Sequence, residues 1–298
     1  MNIRNEIEYL LNHAETEKER DRLKEMLQTY DGADKVVTSE EIKQSLIDNP
    51  LAPPIPTGAE GIDKILKGFH NGQLIVLTGN PGSGKTSYAL HLIEKMQEHK
   101  PAAIFLEQPP RELIATLVER DLSVPYFITP KTNRRAKMSW IRARALESRA
   151  KYGCKILFID HFQYFQYDGE EKLFSEKEKI DRMLEELKEL AGYMNIPIVV
   201  LAHVRKMNDP TDIPTEYDLQ GSAGFNQLAD TIIILWRENY REGKEVKTSN
   251  NTLCSIRKNR RYGPTGSFRM MYRDHKFIED KDITFHHEDN GGYGEYDS

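Results

Sequence analysis

The sequence predicts an α/β fold in which a mostly parallel, twisted sheet is covered by helices on both faces. From residue 73 onward, short apolar segments alternate with longer amphipathic ones, a pattern that favours parallel strands joined by right-handed helical crossovers. Most of the short segments are apolar at consecutive positions, as strands buried on both faces must be. The strand candidates span residues 74–78, 102–106, 155–159, 198–202 and 231–236.

The helices and the last third of the chain complete this prediction. Helix candidates between the strands span residues 86–98, 139–151 and 175–194. After Arg237 the pattern changes to short segments at 252–257, 268–272 and 276–279, which predict an antiparallel meander. Residues 280–298 are acidic and rich in glycine, and we expect a disordered tail there.

The N-terminal segment differs in composition from the rest. Residues 1–30 contain no glycine or proline, and the apolar face Ile3–Leu11 follows helical spacing. A second short helix is expected from Ser39, because Thr38 and Ser39 open it with a capping pattern. Prolines then make 49–56 a stiff linker. We therefore expect a helical extension and linker at 1–50, a main domain at 51–279 and the tail at 280–298.

Composition limits the cellular location and the class of partner. The 298 residues carry a net charge of −5, so no global basic field indicates nucleic acid, although a ring channel needs only a few basic residues per subunit. No apolar run approaches the roughly 20 residues of a membrane span. The N-terminus lacks a signal or transit pattern. Cys154 and Cys254 have no metal-ligand spacing. These features predict an intracellular, cytoplasmic protein (host cytoplasm if viral) without a membrane partner.

A phosphate-binding loop connects the first strand candidate to the following helix. Residues 79–86 match the pattern G-x-x-x-x-G-K-[ST], with an apolar strand before it and a helix after it, which is the context that the pattern requires. Its glycines allow backbone N–H groups to surround phosphate, and the helix N-terminus favours the anion. The motif therefore predicts binding of ATP with Mg²⁺. The nucleotide-binding candidates are Gly79, Asn80, Pro81, Gly82, Ser83, Gly84, Lys85, Thr86 and Ser87.

Three polar residues end neighbouring strand candidates, where ligands bind in open α/β sheets. Asp160 is the candidate metal carboxylate, which would hold Mg²⁺ together with the hydroxyl of Thr86. Glu107 is positioned to reach an attacking water, and His203 to contact the γ-phosphate. Each also has a structural alternative, namely a helix-capping Asp160, a surface Glu107 and a hydrogen-bonded structural His203.

A series of further motifs follows the phosphate loop. In chain order they are LEQP (106–109), IDHFQ (159–163), LAH (201–203), DLQGSA (218–223), ADTII (229–233), and KNR (258–260) ahead of GPTG (263–266). This series resembles that of the hexameric replicative helicases, namely the DnaB-type enzymes, the helicase half of phage primase–helicases and mitochondrial Twinkle. The resemblance covers residues 55–280 and implies a RecA-like P-loop ATPase fold.

The resemblance also implies a role for each matching residue. Glu107 would be the catalytic base, Asp160 the Walker B acid and His203 the γ-phosphate sensor. Lys85 would act on the phosphates. Arg260 would be an arginine finger that reaches the ATP of the neighbouring subunit, accompanied by Lys258 as a nucleotide-binding residue. Arg261 stands beside Arg260 and is an alternative in register.

The partners implied are single-stranded DNA, further copies of the chain in a hexamer, and a primase, polymerase or single-strand-binding protein. Family members contact DNA through loops that face the ring channel. Here the DNA-binding candidates are Arg205, Lys206, Gln220, Gly221 and Ser222, with an ordinary exposed basic pair as the alternative for the first two. The tail and the N-terminal helices are candidates for partner recruitment and subunit contact.

The sequence leaves three functions open. The first is an ATP-dependent helicase or translocase on single-stranded DNA, acting as a ring in DNA replication. The second is a KaiC- or RadA-like ATPase in signalling or recombination, which shares the phosphate loop and the K-x-R element. The third is a non-hydrolysing assembly factor that resembles a helicase loader. The order and spacing of the motifs favour the first.

Overall fold

The computed structural model describes residues 11–14, 16–28, 35–132, 136–166, 174–205, 209, 211–219, 222–243 and 245–286. The chain divides into two units, Met1–Ala52 and Pro53–Ser298. The first contains helices α1 (Glu17–Gln28) and α2 (Ser39–Asp48). The Thr38 side chain accepts from the backbone N–H of Glu41, and the Glu41 carboxylate accepts from that of Thr38. This reciprocal cap starts α2 at the residue that the sequence predicts.

The second unit carries the α/β fold. Its helices are α3 (Glu60–Leu66), α4 (Lys85–Lys95), α5 (Pro110–Glu119), α6 (Met138–Tyr152), α7 (Glu176–Met194) and α8 (Ser222–Leu228). Its strands are β1 (Leu74–Gly79), β2 (Ala102–Phe105), β3 (Ala136–Lys137), β4 (Leu157–Asp160), β5 (Phe165–Gln166), β6 (Ile198–His203), β7 (Thr231–Glu242), β8 (Glu245–Asn259), β9 (Thr265–Arg273) and β10 (Lys276–His286).

Eight strands form one sheet in the order β10-β9-β8-β7-β1-β6-β4-β2. Strands β7, β1, β6, β4 and β2 are parallel to their neighbours in this group, whereas β7 to β10 form an antiparallel meander. Strands β3 and β5 form a separate parallel pair. The predicted fold class, a mostly parallel sheet with a C-terminal meander, is confirmed.

The core lies on both faces of the sheet. Because successive side chains of a strand point to opposite faces, Leu74 and Val76 join one apolar cluster and Ile75 and Leu77 join the other. Helices α6 and α7 cover the first cluster, and α3 and α4 cover the second. This double burial explains why the central strands are apolar without alternation. Among the described residues, no helix combines the length and the apolar character needed to cross a bilayer.

The meander strands are longer than the sequence predicts. Strand β10 continues from Lys276 to His286, past Glu279, where the tail was expected to begin. It does so because its polar residues pair with β9, as Thr284 does with Ser267, and this pairing satisfies the backbone groups regardless of side-chain polarity. The expected start of the tail at residue 280 is therefore wrong. Residues 287–298 lie outside the described residues.

Candidate nucleotide-binding site

The phosphate loop is the turn between the end of β1 at Gly79 and the start of α4 at Lys85. Gly82 and Gly84 have φ values of 77° and 87°, a region that favours glycine. At Gly79 a Cβ atom would lie 2.1 Å from the carbonyl oxygen of Leu235 on the neighbouring strand. The motif glycines are thus required by backbone conformation at two positions and by a close approach at the third.

Lys85 lies inside this loop and is only 5 % exposed. Its Nζ donates hydrogen bonds of 3.0 Å to the carbonyl oxygens of Gly79 and Asn80. Burial lowers the pKa of its ammonium group to about 8, although the nearby carboxylates of Asp160 and Glu107 oppose this shift. The loop therefore holds a positive charge beneath the position where phosphate would bind.

Asp160 and Thr86 form a pair of oxygen ligands beside the loop. Asp160 is the last residue of β4 and is 3 % exposed. Its Oδ2 accepts a hydrogen bond of 2.8 Å from the Thr86 hydroxyl, and its Oδ1 has no partner among the described residues. Burial raises the pKa of this carboxyl to about 6, while the Thr86 hydrogen bond opposes the rise. A hydroxyl next to a carboxylate with a free oxygen fits Mg²⁺, which prefers oxygen ligands.

Glu107, His161 and His203 surround this pair. Glu107 follows β2 and is exposed, and a carboxylate oxygen of it lies within 4.8 Å of ligand atoms of Asp160 and His161. The His161 and His203 rings are in contact, with centroids 3.5 Å apart. Burial is the main cause that lowers the pKa of His161 to about 3 and that of His203 to about 4. Both rings are therefore neutral at pH 7.

These groups face a cleft of about 440 Å³. Its lining includes Glu107 and His203 together with loop residues 81–87. Five further residues line it that the sequence did not single out for this site, namely His161, Arg237, Thr252, Tyr272 and Phe277. His161 lies within the IDHFQ motif, so the sequence could have indicated it. The other four lie on the meander strands, far along the chain from the phosphate loop, and no local pattern marks them as part of this site.

Arg260 and Lys258 lie near the start of β1, at the opposite end of the strands from the phosphate loop. Asn259 pairs with Thr231, which in turn pairs with Ile75 near the start of β1, whereas the phosphate loop follows the end of that strand. The intervening length of β1 is roughly 13 Å at about 3.3 Å per residue. Neither basic residue lines the cleft of its own chain.

Local contacts hold these basic side chains at that end of the strands. Arg260 Nη1 lies 3.4 Å from Asp230 Oδ1, and the same guanidinium donates to the carbonyl of Gln227. Lys258 donates to the carbonyl of Asn226. The guanidinium of Arg261 lies 5.7 Å from the ring centroid of Tyr262.

The two segments expected to contact DNA lie next to each other. Val204 pairs with Leu219, and Arg205 N donates a 2.7 Å hydrogen bond to the carbonyl of Asp218. The exposed Arg205 side chain also forms an ion pair with Asp218 at 2.8 Å. Lys206, Gln220 and Gly221 lie outside the described residues, as does the side chain of Ser222, which begins α8.

The sequence matches a family and its members. The family model described as "DnaB-like helicase C terminal domain" matches residues 54–127 and 121–278. The chain is 28 % identical over 274 residues to the replicative DNA helicase DnaB of Rickettsia typhi, covering 77 % of this chain and 55 % of that protein. It is 25 % identical over 249 residues to the replicative DNA helicase DnaC of Bacillus subtilis, covering 73 % and 54 %. The chain thus spans about half the length of these relatives.

Solved structures share the fold. A DnaB-like replicative helicase studied with its primase interactions has a TM-score of 0.63 at 19 % identity, covering 92 % of this chain and 75 % of that one. A KaiC-like protein of Pyrococcus horikoshii has a TM-score of 0.54 at 16 % identity, covering 78 % and 100 %. Since the family model extends over most of the chain, this protein belongs to the family of DnaB-like helicase C-terminal domains.

Proposed function

We propose that this protein is an ATP-driven helicase or translocase on single-stranded DNA that acts as a ring in replication. The observation that carries the proposal is the placement of Lys85 and the Thr86–Asp160 pair beneath one phosphate loop in a chain of this family. The family match favours this function over the KaiC-like alternative.

At the phosphate end of the cleft, the loop amides and Lys85 bind the triphosphate of ATP. Thr86 and Asp160 would hold Mg²⁺, which when bound neutralises charge on the phosphate oxygens. Glu107 is exposed at the same end, and its carboxylate accepts a proton from the attacking water. The uncharged His203 offers a ring nitrogen to the γ-phosphate and so distinguishes ATP from ADP.

The meander side of the cleft is suited to the nucleobase. Tyr272 and Phe277 present aromatic rings there, with centroids 4.9 Å apart, and Arg237 adds a guanidinium. Aromatic and guanidinium planes stack on bases with little dependence on base identity. We therefore assign the adenine to this side.

A ring of subunits would complete the site. Arg260 lies at the end of the strands away from its own cleft, so a finger role requires that it reach a neighbouring subunit. A guanidinium placed in trans stabilises the charge on the transferred phosphoryl group. Lys258, at the same end, would bind the neighbouring nucleotide with it.

Helix α2 is the stronger candidate for subunit contact. None of its residues is buried, and Ile42, Leu46 and Ile47 are exposed apolar side chains. Of the face expected earlier, residues 1–10 lie outside the described residues, and Leu11 packs on Ala14 and Leu23 of the same chain. We therefore assign the neighbouring subunit to α2, with a hexamer as the expected assembly.

DNA and protein partners follow from this assignment. Arg205 and Lys206, with the loop at 220–222, would contact the phosphates of single-stranded DNA, and the affinity should fall with salt. One structural neighbour was studied with primase, so a primase is a candidate partner. A polymerase or single-strand-binding protein is a candidate for the acidic residues beyond His286, and the cytoplasm is the expected location.

The test is the rate of ATP hydrolysis with and without single-stranded DNA, together with unwinding of a forked duplex. Lys85→Ala protein is the inactive control, because it removes the charge inside the loop. We expect hydrolysis stimulated by DNA and unwinding that depends on ATP. Hydrolysis indifferent to DNA would favour the KaiC- or RadA-like function, and nucleotide binding without hydrolysis would favour an assembly factor.

A further inference from the structure

His161 is a buried side chain in the wall of the cleft. It is 1 % exposed, yet within the described parts of the chain neither of its ring nitrogens has a partner. Burial lowers the pKa of His161, and the nearby Gln163 side chain opposes that shift without the geometry of a hydrogen bond to either ring nitrogen; its amide donates to the carbonyl of His203 at 3.5 Å. Buried polar groups in folded proteins are nearly always paired, so an orphan of this kind needs an explanation. His161 also lines the cleft, where a ligand has access to it.

Two carboxylates converge on the same point. Ligand atoms of Glu107, Asp160 and His161 all lie within 4.8 Å of one another. Asp160 Oδ2 is used by Thr86, but Oδ1 has no partner among the described residues. A zinc ion bound about 2.1 Å from each ligand requires ligand atoms about 3.4 Å apart in tetrahedral geometry. Glu107 is exposed, so its side chain is able to move its carboxylate oxygen from within 4.8 Å to the shorter separation that zinc requires.

The nearest positive charge, the ammonium of Lys85, does not occupy the position between these ligand atoms. The ammonium of Lys85 is held by the carbonyl oxygens of Gly79 and Asn80. The His161 ring packs against His203, whose Nδ1 is likewise unpartnered within the described residues and lies beside the cluster. Two acids and an uncharged imidazole form a donor set that Mg²⁺ does not select, because Mg²⁺ takes oxygen ligands, whereas imidazole suits Zn²⁺.

We propose that Glu107, Asp160 and His161 form a binding site for Zn²⁺ that shares only Asp160 with the Thr86–Asp160 position for Mg²⁺. Zinc bound there occupies Glu107, the group that accepts the proton from water, and therefore inhibits hydrolysis. The inhibition rests on the proposed function, but zinc binding itself does not. Asp160 supplies Oδ1, which has no partner among the described residues, while Oδ2 remains with the Thr86 hydroxyl.

The experiment is calorimetric titration of the nucleotide-free full chain with Zn²⁺ and, separately, with Mg²⁺. His161→Asn removes the imidazole, and His99→Asn makes the same change at a histidine outside the cleft. We expect one zinc site in the wild type and in His99→Asn, weakened more than about tenfold in His161→Asn. Mg²⁺ binding should be unaffected by either substitution. Equal zinc affinity in His161→Asn and the wild type would overturn the proposal.

A second variant guards against misfolding of His161→Asn. Glu107 is exposed, so Glu107→Gln should fold normally and should also weaken zinc binding; unchanged affinity in a folded Glu107→Gln protein would contradict the site. ATPase inhibition by Zn²⁺, reversed by a chelator, is then measured separately. Zinc binding through His161 in a protein that does not hydrolyse ATP would overturn the proposed function and leave the site standing.

Discussion

Thr86 Oγ1 donates a 2.8 Å hydrogen bond to Asp160 Oδ2, across 74 residues of chain. Thr86 lies in the first turn of α4, and Asp160 ends β4, which is separated from β1 by β6. Their contact therefore depends on the strand order. It places a hydroxyl and a carboxylate together next to the phosphate loop, and the first prediction follows from it.

Asp160→Asn should keep the fold and lose hydrolysis. The amide has the size of the carboxyl group, and since burial already raises the pKa of Asp160 to about 6, a neutral group is tolerated there. The lost ligand charge should slow hydrolysis by at least about 100-fold, or ~2.7 kcal/mol in the barrier. Steady-state ATPase rates and calorimetry with Mg-ATP measure this. A wild-type rate would exclude Asp160 as the metal ligand.

Glu107→Gln should bind ATP with wild-type affinity and hydrolyse it very slowly. The amide keeps the shape but cannot accept the proton, and loss of a general base typically costs about 10²- to 10⁴-fold in rate. The readout is single-turnover hydrolysis alongside equilibrium nucleotide binding. Glu112→Gln is the matched control, an exposed acid on α5 that does not line the cleft. Equal rates in the two variants would show that Glu107 is not the base.

Arg260→Ala should retain nucleotide binding, because Lys85 and the loop are intact in the same subunit. Its hydrolysis should fall by about 10³- to 10⁵-fold if the guanidinium acts in trans. Mixing it with Lys85→Ala protein should restore part of the activity, since a mixed interface pairs an intact loop with an intact finger. Arg261→Ala tests the alternative in register: a large loss there with normal hydrolysis in Arg260→Ala would assign the finger to Arg261. Full wild-type activity in a demonstrably monomeric sample would contradict the model.

Substitution of Ile42 and Leu46 by Ser on α2 should shift the assembly to smaller species. Both side chains are exposed, and no residue of α2 is buried in its own chain, so thermal unfolding of the chain should change little. Size-exclusion chromatography with light scattering at fixed concentration reports the mass. Lys43→Ala serves as the control on the same helix. An unchanged mass would indicate that α2 does not join subunits.

Gly61→Ala should destabilise the α/β unit, Pro53–Ser298. A Cβ atom there would lie 2.3 Å from the Phe268 ring, at the contact between α3 and β9. Such overpacking costs about 1–3 kcal/mol in the free energy of unfolding, which urea denaturation measures. Gly192→Ala in α7 meets no atom within 4 Å and should stabilise the protein by up to ~1 kcal/mol. Equal stability of the two variants would contradict the predicted packing.

The sequence predicted the elements whose signals are local. The phosphate loop is recognisable because its glycines, Lys85 and Thr86 are contiguous, and the central strands because burial on both faces requires unbroken apolar runs. Short helices such as α3 and α5 went unpredicted, since seven and ten residues give too few turns for a clear periodicity. Strand β10 was underestimated because its pairing with β9, rather than its composition, sets its length.

The sequence by itself thus determined the phosphate loop, the identities of the strand-end residues and the family resemblance, because each depends on short runs of contiguous residues. Only the tertiary structure decided which of these residues meet. Strand order brings Glu107, Asp160 and His161 within 4.8 Å of one another. It also places Tyr272 and Arg237 in the cleft and Arg260 at the opposite end of the strands. Strand order and register are relations between distant segments, which no local pattern encodes.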